Sequence, residues 1–333
     1  MKKFLTSALV YVFFVYSLTS CKPDKAEPSR DYSQSSFLEV QDGILVFSSE
    51  DKFDKTVSFL KTLQTKGSLE EWESQYAGFK SMRTAYNQLK EQDYMIIDGN
   101  NSAKGYEQFL SIIGEGNDRQ AVRNVMDDAL ATLTNHNGLV KVGGKYRLYR
   151  YDATVEFLDN KITNDPNLYT VKSSDVTRNI RVIPTQRTIK TTVVSSDVVN
   201  GYQEERQGPL NEYWSGNRKH RVVGIIYCDG IPTSFNSIGG TTKHQKRVFG
   251  SIWYDNDVSS IRLKYDAVVR VGANGGQDVT VNYDFTVNNQ GYYNYSQSVV
   301  VGGNAQNFTI ISFTGYHWAS CADGVGRDVN VSW

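Results

Sequence analysis

Residues 278–287 read DVTVNYDFTV, and this stretch gives the clearest indication of fold in the chain. Every second residue is large and apolar, namely Val279, Val281, Tyr283, Phe285 and Val287. Threonine, asparagine and aspartate occupy the positions between them. Because successive side chains of a strand point to opposite faces of a sheet, this alternation predicts a strand with one buried and one solvent-facing side.

Similar stretches recur from position 213 to 333. They are residues 221–227, 248–254, 260–271, 293–301, 308–316 and 328–333. Glycine and asparagine are concentrated between several of them, as at 272–276 and 288–291. Short strands separated by such turns are typical of an antiparallel β-sandwich or a small barrel. We therefore predict an antiparallel β-sandwich domain over residues 213–333.

Residues 37–160 have a different period. Apolar residues spaced three and four apart from Phe53 to Leu63 predict one helix, and Ser68 with Glu71 forms a capping box that opens a second. Further helices are predicted over 106–113 and from Asp118 to Leu133. At 139–149 the sequence LVKVGGKYRLY alternates around two glycines, which indicates a β-hairpin. The expectation is a small helical bundle closed by a hairpin, hence an α+β fold, with an irregular linker at 161–212.

The N-terminus has the features of a secretory signal. Lys2 and Lys3 precede a mostly apolar stretch that is shorter than the roughly 20 residues needed to span a bilayer. The sequence Leu-Thr-Ser-Cys at 18–21 resembles the bacterial lipoprotein signal, in which the cysteine is acylated by palmitate-type chains and becomes the first mature residue. We predict a signal peptide at 1–20, lipidation of Cys21 and a flexible polar tether at 21–36. The alternative is a plain cleaved signal with a chance cysteine.

Charge limits the classes of partner. The predicted mature chain has 333 minus 20, or 313, residues; removing two lysines from 36 basic residues leaves 34 against 36 acidic ones. A net charge of about −2 provides no general attraction to nucleic acid. We expect attachment to the membrane through the N-terminal lipid alone. Resemblance to bacterial lipoproteins implies the outer membrane, because Lys22 is not the aspartate that favours inner-membrane retention in enteric bacteria; the leaflet is left open.

Two cysteines remain after Cys21 is assigned to lipid. Outside the cytoplasm, Cys228 and Cys321 could form a disulfide, and the alternative is a pair of buried thiols. No metal site is predicted, because the chain has no CxxC and its four histidines are scattered. The sequence Asp-Asn-Asp at 255–257 is interpreted as a solvated turn. The basic clusters at 218–221 and 243–247 are interpreted as solvated strand edges.

Motifs of catalysis are absent from the sequence. It contains no GxSxG, no HExxH and no phosphate-binding GxxxxGK[ST], so no catalytic residue and no cofactor are predicted. The best ligand-binding candidates are Tyr292, Tyr293 and Tyr295, because exposed aromatic side chains beside amides could stack on sugar rings. Burial of the same tyrosines in a sandwich core is the alternative.

Three stretches carry a family resemblance: VQDGILVFSSEDKFDKTVSFLKTL at 40–63, NHNGLVKVGGKYRLYRYD at 135–152 and SIGGTTKHQKRVFGSIWYDND at 237–257. With the lipoprotein signal, they make the chain resemble outer-membrane lipoproteins of Bacteroidota of uncharacterised function. The resemblance implies location in the cell envelope and assigns no catalytic residue. We expect non-enzymatic binding of a glycan or envelope protein through the C-terminal β-domain. The alternatives are an envelope hydrolase and a structural subunit of an envelope assembly.

Overall fold

Sheets dominate the architecture, and helices are few. A computed structural model describes residues 38–63, 66–100, 102–158, 163, 165–184, 189–190, 198–199, 204–231, 235–247, 252–271, 276–288, 294–303, 308–321 and 323–333. The chain from position 37 to 333 forms one compact unit. The fold is therefore mixed and sheet-rich.

The elements follow in chain order. The strands are β1 (Leu38–Gln41), β2 (Ile44–Phe47), β3 (Leu110–Ile113), β4 (Gln120–Arg123), β5 (Leu139–Val142), β6 (Lys145–Tyr149), β7 (Ala153–Phe157), β8 (Arg181–Pro184), β9 (Ile189–Lys190), β10 (Val198–Val199), β11 (Glu204–Gln207), β12 (Asn211–Ser215), β13 (Arg218–Ile231), β14 (Phe235–Arg247), β15 (Trp253–Asp255), β16 (Ile261–Val271), β17 (Gln277–Val287), β18 (Asn294–Gly303), β19 (Phe308–Ser320) and β20 (Gly326–Ser332). The helices are α1 (Glu50–Thr62), α2 (Lys66–Glu73), α3 (Met82–Asn87), α4 (Glu91–Asn100) and α5 (Asp128–Leu133).

The described strands form three sheets. The first has the order β1-β2-β5-β6-β7-β8, and the second has the order β3-β4-β15-β14-β13-β11-β9, with β12 and β18 on its branches. The third has the order β10-β19-β16-β17, with β20 on β19. Strand β4 pairs with β15 in parallel, through Gln120 and Trp253. The second sheet thus takes strands from both sides of the predicted linker.

The N-terminal region is not a helical bundle closed by one hairpin. Its hairpin is confirmed, because β5 and β6 pair antiparallel across Gly143 and Gly144, which adopt positive φ angles of 56° and 84°. Helix α1 is also confirmed: Ser49 caps it by accepting from the Lys52 amide, and Phe53 is buried on its inner face. However, five described strands besides this hairpin lie in the same region.

Two helix predictions in this region were wrong. Residues 110–113 and 120–123 form the antiparallel pair β3–β4, and only Asp128–Leu133 of the predicted fourth helix is helical. Between the two strands, Gly114 and Gly116 have positive φ angles of 78° and 53°. Such left-handed positions reverse the chain and interrupt a helix.

The second and third sheets share one apolar core. It contains Val222, Ile226, Leu263, Phe313 and Val329 among other side chains. The alternation predicted at 278–287 is confirmed in β17: Val281 and Val287 are buried, while the threonines and Asn282 on the opposite face are exposed. One face of the third sheet is therefore core, and the other is left to solvent.

Candidate functional site

Strand β19 carries two aromatic side chains on the solvent-facing side of the third sheet. Its inner positions are Phe313, Gly315, His317 and Ala319, which are buried. Tyr316 and Trp318 alternate with them and are half-buried. Strand alternation thus puts both aromatic side chains on the opposite face from His317, about 7 Å apart along the strand. We call Tyr316, Trp318 and their cross-strand neighbours the aromatic face.

Trp318 lies against the backbone of the neighbouring strand. Gly326 starts β20, and a Cβ built there would come within 2.5 Å of the Trp318 Nε1. Glycine has no side chain, so the indole can rest directly on the sheet. Trp318 is half-buried, so part of the ring stays accessible to solvent.

Arg262 holds the position next to Tyr316. Its guanidinium carbon lies 5.6 Å from the centre of the Tyr316 ring. Its Nε and Nη2 donate to the two carboxylate oxygens of Asp284 at 2.9 and 2.7 Å. This hydrogen bonding lowers the pKa of the Asp284 carboxyl from its usual value. The bidentate geometry fixes the guanidinium plane beside the ring.

Polar side chains border both aromatic residues. On β20, Asn330 lies opposite Tyr316 and Asp328 lies opposite Trp318. Both are exposed, and the Asn330 amide donates to Asp328 Oδ2 at 3.3 Å. Lys264 of β16 lies opposite Tyr316 from the other side. The aromatic face therefore combines apolar rings with amide, carboxylate and ammonium groups.

A polar cleft lies elsewhere, between helices α3–α4 and strands β14–β15. Its volume is about 230 Å³, and its lining includes Glu91, Tyr94, Lys246 and Tyr254. Glu91 forms ion pairs with Arg218 and with Lys246, the latter at 3.1 Å, and these contacts lower its pKa. Tyr94 and Tyr254 stack on each other at 4.4 Å and are each 4% exposed. The rings and charges of this cleft are thus engaged with one another, which makes it a weaker ligand site than the aromatic face.

The tyrosines predicted from sequence lie largely outside the described residues. This applies to Tyr292 and Tyr293. The backbone of Tyr295 pairs with Thr242 where β18 meets β14. Cys21 also lies outside the described residues, so its lipidation stays a prediction.

Cys228 and Cys321 lie in the shared core as free, buried thiols, which is the second of the two alternatives given for them. The Cys321 Sγ instead donates to the Ala319 carbonyl oxygen at 3.6 Å. Burial raises the pKa of the Cys321 thiol, which keeps the sulfur protonated and unreactive.

The hydrolase alternative needs an acid–base pair, for which His317 and Asp323 are candidates, and no described contact brings these two side chains together. His317 is fully buried, and its Nδ1 shares a hydrogen bond of 2.9 Å with the Thr242 hydroxyl. Asp323 instead accepts two hydrogen bonds from Arg327. Within the described residues, no three histidine, cysteine or acidic side chains cluster to hold a metal ion.

The charged stretches differ from their predictions. Asp255 of the expected solvated turn is buried and accepts from Tyr86 at 3.2 Å. In the two basic clusters, Arg221 and Lys243 are 1% and 2% exposed. The solvated-edge prediction was wrong because β13 and β14 are neighbours inside the second sheet, so side chains along both are covered by other layers.

Tyr316 and Trp318 were not predicted as site residues. In the stretch TGYHWASC at 314–321 they lie on either side of His317. Strand alternation was the available indication, since it assigns a residue and its two neighbours to opposite faces.

No family model matches the chain, and no curated protein matches it. In the part of the chain that the structure describes, no helix has the length and apolar character to cross a membrane.

Proposed function

We propose that this chain is a lipid-anchored protein of the bacterial outer membrane that binds a glycan, without catalysis, through the aromatic face. In this proposal the second and third sheets are the two layers of a β-sandwich. The observation that carries the proposal is the position of Tyr316 and Trp318, side by side on a solvent-facing sheet.

The chemistry of the aromatic face suits a sugar chain. Sugar rings have apolar faces of C–H groups and a rim of hydroxyls. Half-exposed aromatic rings offer apolar area at a small loss of conformational entropy. Asn330 and Asp328 provide acceptors, and Lys264 and the Asn330 amide provide donors, within one strand of the rings. A flat face with two rings favours an extended polysaccharide over a small ligand that needs a deep pocket.

The proposed location depends on Cys21. Several acyl chains on one residue hold a protein stably on a bilayer, whereas one chain does so only marginally. A polar tether of this length has a typical reach of about 20 Å as a flexible chain. A glycan bound by the anchored protein would then be held at the outer membrane.

Affinity electrophoresis tests the function. The full-length protein is run in gels containing laminarin, dextran, mannan or xylan, beside the variants Trp318→Ala and Tyr316→Ala. Trp214→Ala is the matched control, because Trp214 is 66% exposed on β12 of the second sheet, where it lies opposite Lys219 of β13. We expect one polysaccharide to retard the wild type and the control, and both face variants to run as in a gel without polysaccharide. Equal retardation of Trp318→Ala and wild type would contradict the proposal.

A further inference from the structure

A second apolar patch lies on β19, at the opposite end of the strand from the two rings. The register of β19 against β16 shifts between Val268 and Val269. Their partners are Ser312 and Ile310, so Ile311 is the extra residue of a β-bulge. Two residues of the bulged strand, Ile311 and Ser312, thus lie opposite Val268. We call Ile311, Ser312 and Val268 the bulge patch.

The bulge patch belongs to the same sheet surface as the aromatic face. Ile311 is 46% exposed, Ser312 is exposed and Val268 is half-buried. Val268 and Lys264 are four residues apart on β16, so strand alternation puts both on one face. Lys264 lies opposite Tyr316, which is one of the two rings. Apolar side chains are therefore accessible at two places on one face of the third sheet.

Hydroxyl side chains lie between the rings and the bulge patch. Thr314 is exposed and lies on β19 between Ser312 and Tyr316. From Trp318 to Ile311 the chain advances seven residues, which corresponds to about 20 Å in a strand. A sugar chain that touches both places must therefore be longer than a trisaccharide.

The charged side chains on this face are paired with one another. Each of the three cations at its described outward positions has a carboxylate partner, and the pairs are Arg262–Asp284 at 2.7 Å, Lys264–Asp266 at 3.6 Å and Arg270–Asp278 at 2.7 Å. A fourth carboxylate, Asp328, lies opposite Trp318 and accepts from the neutral Asn330 amide. Among the described residues that face outward on β16, β17, β19 and β20, carboxylates thus outnumber cations by four to three. This balance disfavours a ligand with a negative charge on every unit and permits a neutral one.

We propose that the glycan assigned to the aromatic face under the proposed function, on which this inference rests, is a neutral chain longer than a trisaccharide that runs along β19 to the bulge patch. The C–H faces of its sugars pack on Trp318 and Tyr316 at one end and on Ile311 at the other. The hydroxyls of Thr314 and Ser312 can hydrogen-bond to the sugars between them. The bulge patch is thus a second subsite, which adds affinity only for chains that reach it.

Oligosaccharides of two lengths test the bulge patch. The full-length protein in a neutral detergent is titrated calorimetrically with the trisaccharide and the hexasaccharide of laminarin, dextran, mannan and xylan. For one of these chains we expect the hexasaccharide to bind about tenfold more tightly than the trisaccharide, the scale of burying one aliphatic side chain. Ile311→Ser should lose most of this difference and bind the trisaccharide like the wild type, and Val268→Ser should act in the same direction. Val176→Ser is the matched control, because Val176 is 88% exposed and precedes β8 of the first sheet.

The charge of the ligand is tested separately, at constant ionic strength. A hexamer of galacturonic acid carries a carboxylate on every sugar, and we expect it to bind about tenfold more weakly than the neutral hexasaccharide, or not at all. Equal or tighter binding of this acidic hexamer would overturn the assignment of a neutral chain.

The outcomes distinguish this second subsite from glycan binding itself. The subsite is refuted if the wild type binds both lengths equally, or if Ile311→Ser binds the hexasaccharide like the Val176→Ser control. In both cases a trisaccharide that binds the wild type but not Trp318→Ala leaves the proposed function standing. If no oligosaccharide binds the wild type and no polysaccharide retards it in gels, the proposed function fails, and the subsite fails with it.

Discussion

Trp318 and Gly326 are in direct contact across β19 and β20: a methyl group at position 326 would overlap the indole, at 2.5 Å from Nε1. Gly326 is not in the left-handed region of φ, so its backbone alone would accept any residue. The need for glycine here comes from the ring that lies on it. This contact fixes how the aromatic face presents Trp318 to solvent.

Gly326→Ala should therefore displace the indole. Overpacking of this kind is expected to lower the free energy of unfolding by about 1–3 kcal/mol. Retardation by polysaccharide should weaken together with stability. Urea denaturation and affinity electrophoresis measure the two effects. Gly99→Ala in α4 is the control, since nothing lies within 4 Å of a Cβ there. If Gly326→Ala kept the stability and the retardation of the wild type, the indole would not rest on β20.

A buried ion pair joins α1 to the start of α5. The Lys61 Nζ lies 3.1 Å from Asp127 Oδ2, and the side chains are 6% and 4% exposed. Asp127 also caps α5 by accepting from the Leu130 amide at 2.9 Å. Lys61→Met leaves this carboxylate buried without its cation, which we expect to destabilise the fold by about 3–5 kcal/mol.

The matched control for this pair is Lys55→Met on the same helix. Lys55 contacts Asp51 at 2.8 Å, but both side chains are mostly exposed, and such surface pairs contribute little. Urea denaturation should separate the two variants clearly. A Lys61→Met protein as stable as Lys55→Met would contradict the buried pair.

His317 should make the fold sensitive to acid. Burial lowers its pKa from 6.5 to about 3, whereas in the unfolded chain it titrates near 6.5. Between these values the unfolded chain binds a proton that the folded chain does not. The free energy of unfolding should thus fall as pH drops from 6.5 toward 3, by about 1.4 kcal/mol per pH unit from this histidine.

The pH dependence is checked by urea denaturation at pH 7.0 and 4.5. His317→Gln removes the titration but keeps an amide that can reach Thr242, so its stability should fall less over this interval than that of the wild type. His136 is exposed, and desolvation lowers its pKa less than that of His317, so His136→Gln should keep more of the wild-type pH dependence than His317→Gln does. Equal losses for wild type and His317→Gln would mean that His317 does not set this dependence.

Lipid attachment is predicted to depend on Cys21 alone. Cells expressing Cys21→Ser and fed an alkyne fatty acid should yield unlabelled protein in the soluble fraction, because no acyl chain then holds it on the bilayer. The double variant Cys228→Ser, Cys321→Ser should keep its label and remain with the membranes. Label retained by Cys21→Ser would refute the predicted anchor.

Local patterns predicted the parts of the fold that local interactions determine. The alternation of β17 and the apolar stripe of α1 depend on residues a few positions apart. Residues 120–127 were wrongly predicted as helix because Val122, Val125, Ala129 and Leu133 fit a helical period, while the pairing of Gln120 with Trp253 joins positions far apart in the chain. Strand pairing between such distant positions cannot be predicted from a short stretch of sequence.

The candidate site was partly accessible to the same reasoning. Once β19 is a strand, alternation puts Tyr316 and Trp318 opposite His317. The burial of the charged residues was harder to predict, since RKHR at 218–221 has the composition of a solvated strand edge. The burial of Arg221 is explained only by the sheet order, in which β13 has β14 on one side and β11 and β12 on the other.

The most direct test of glycan binding follows Trp318 itself. The protein contains five tryptophans, and labelling with 5-fluorotryptophan gives each a fluorine signal that single Trp→Phe variants assign. The labelled protein is titrated with soluble fragments of the polysaccharide that retards it in gels. We predict a saturable shift of the Trp318 signal and no shift of the signal from Trp72, which is 1% exposed. A Trp318 signal that stays unchanged at saturating ligand would contradict the account.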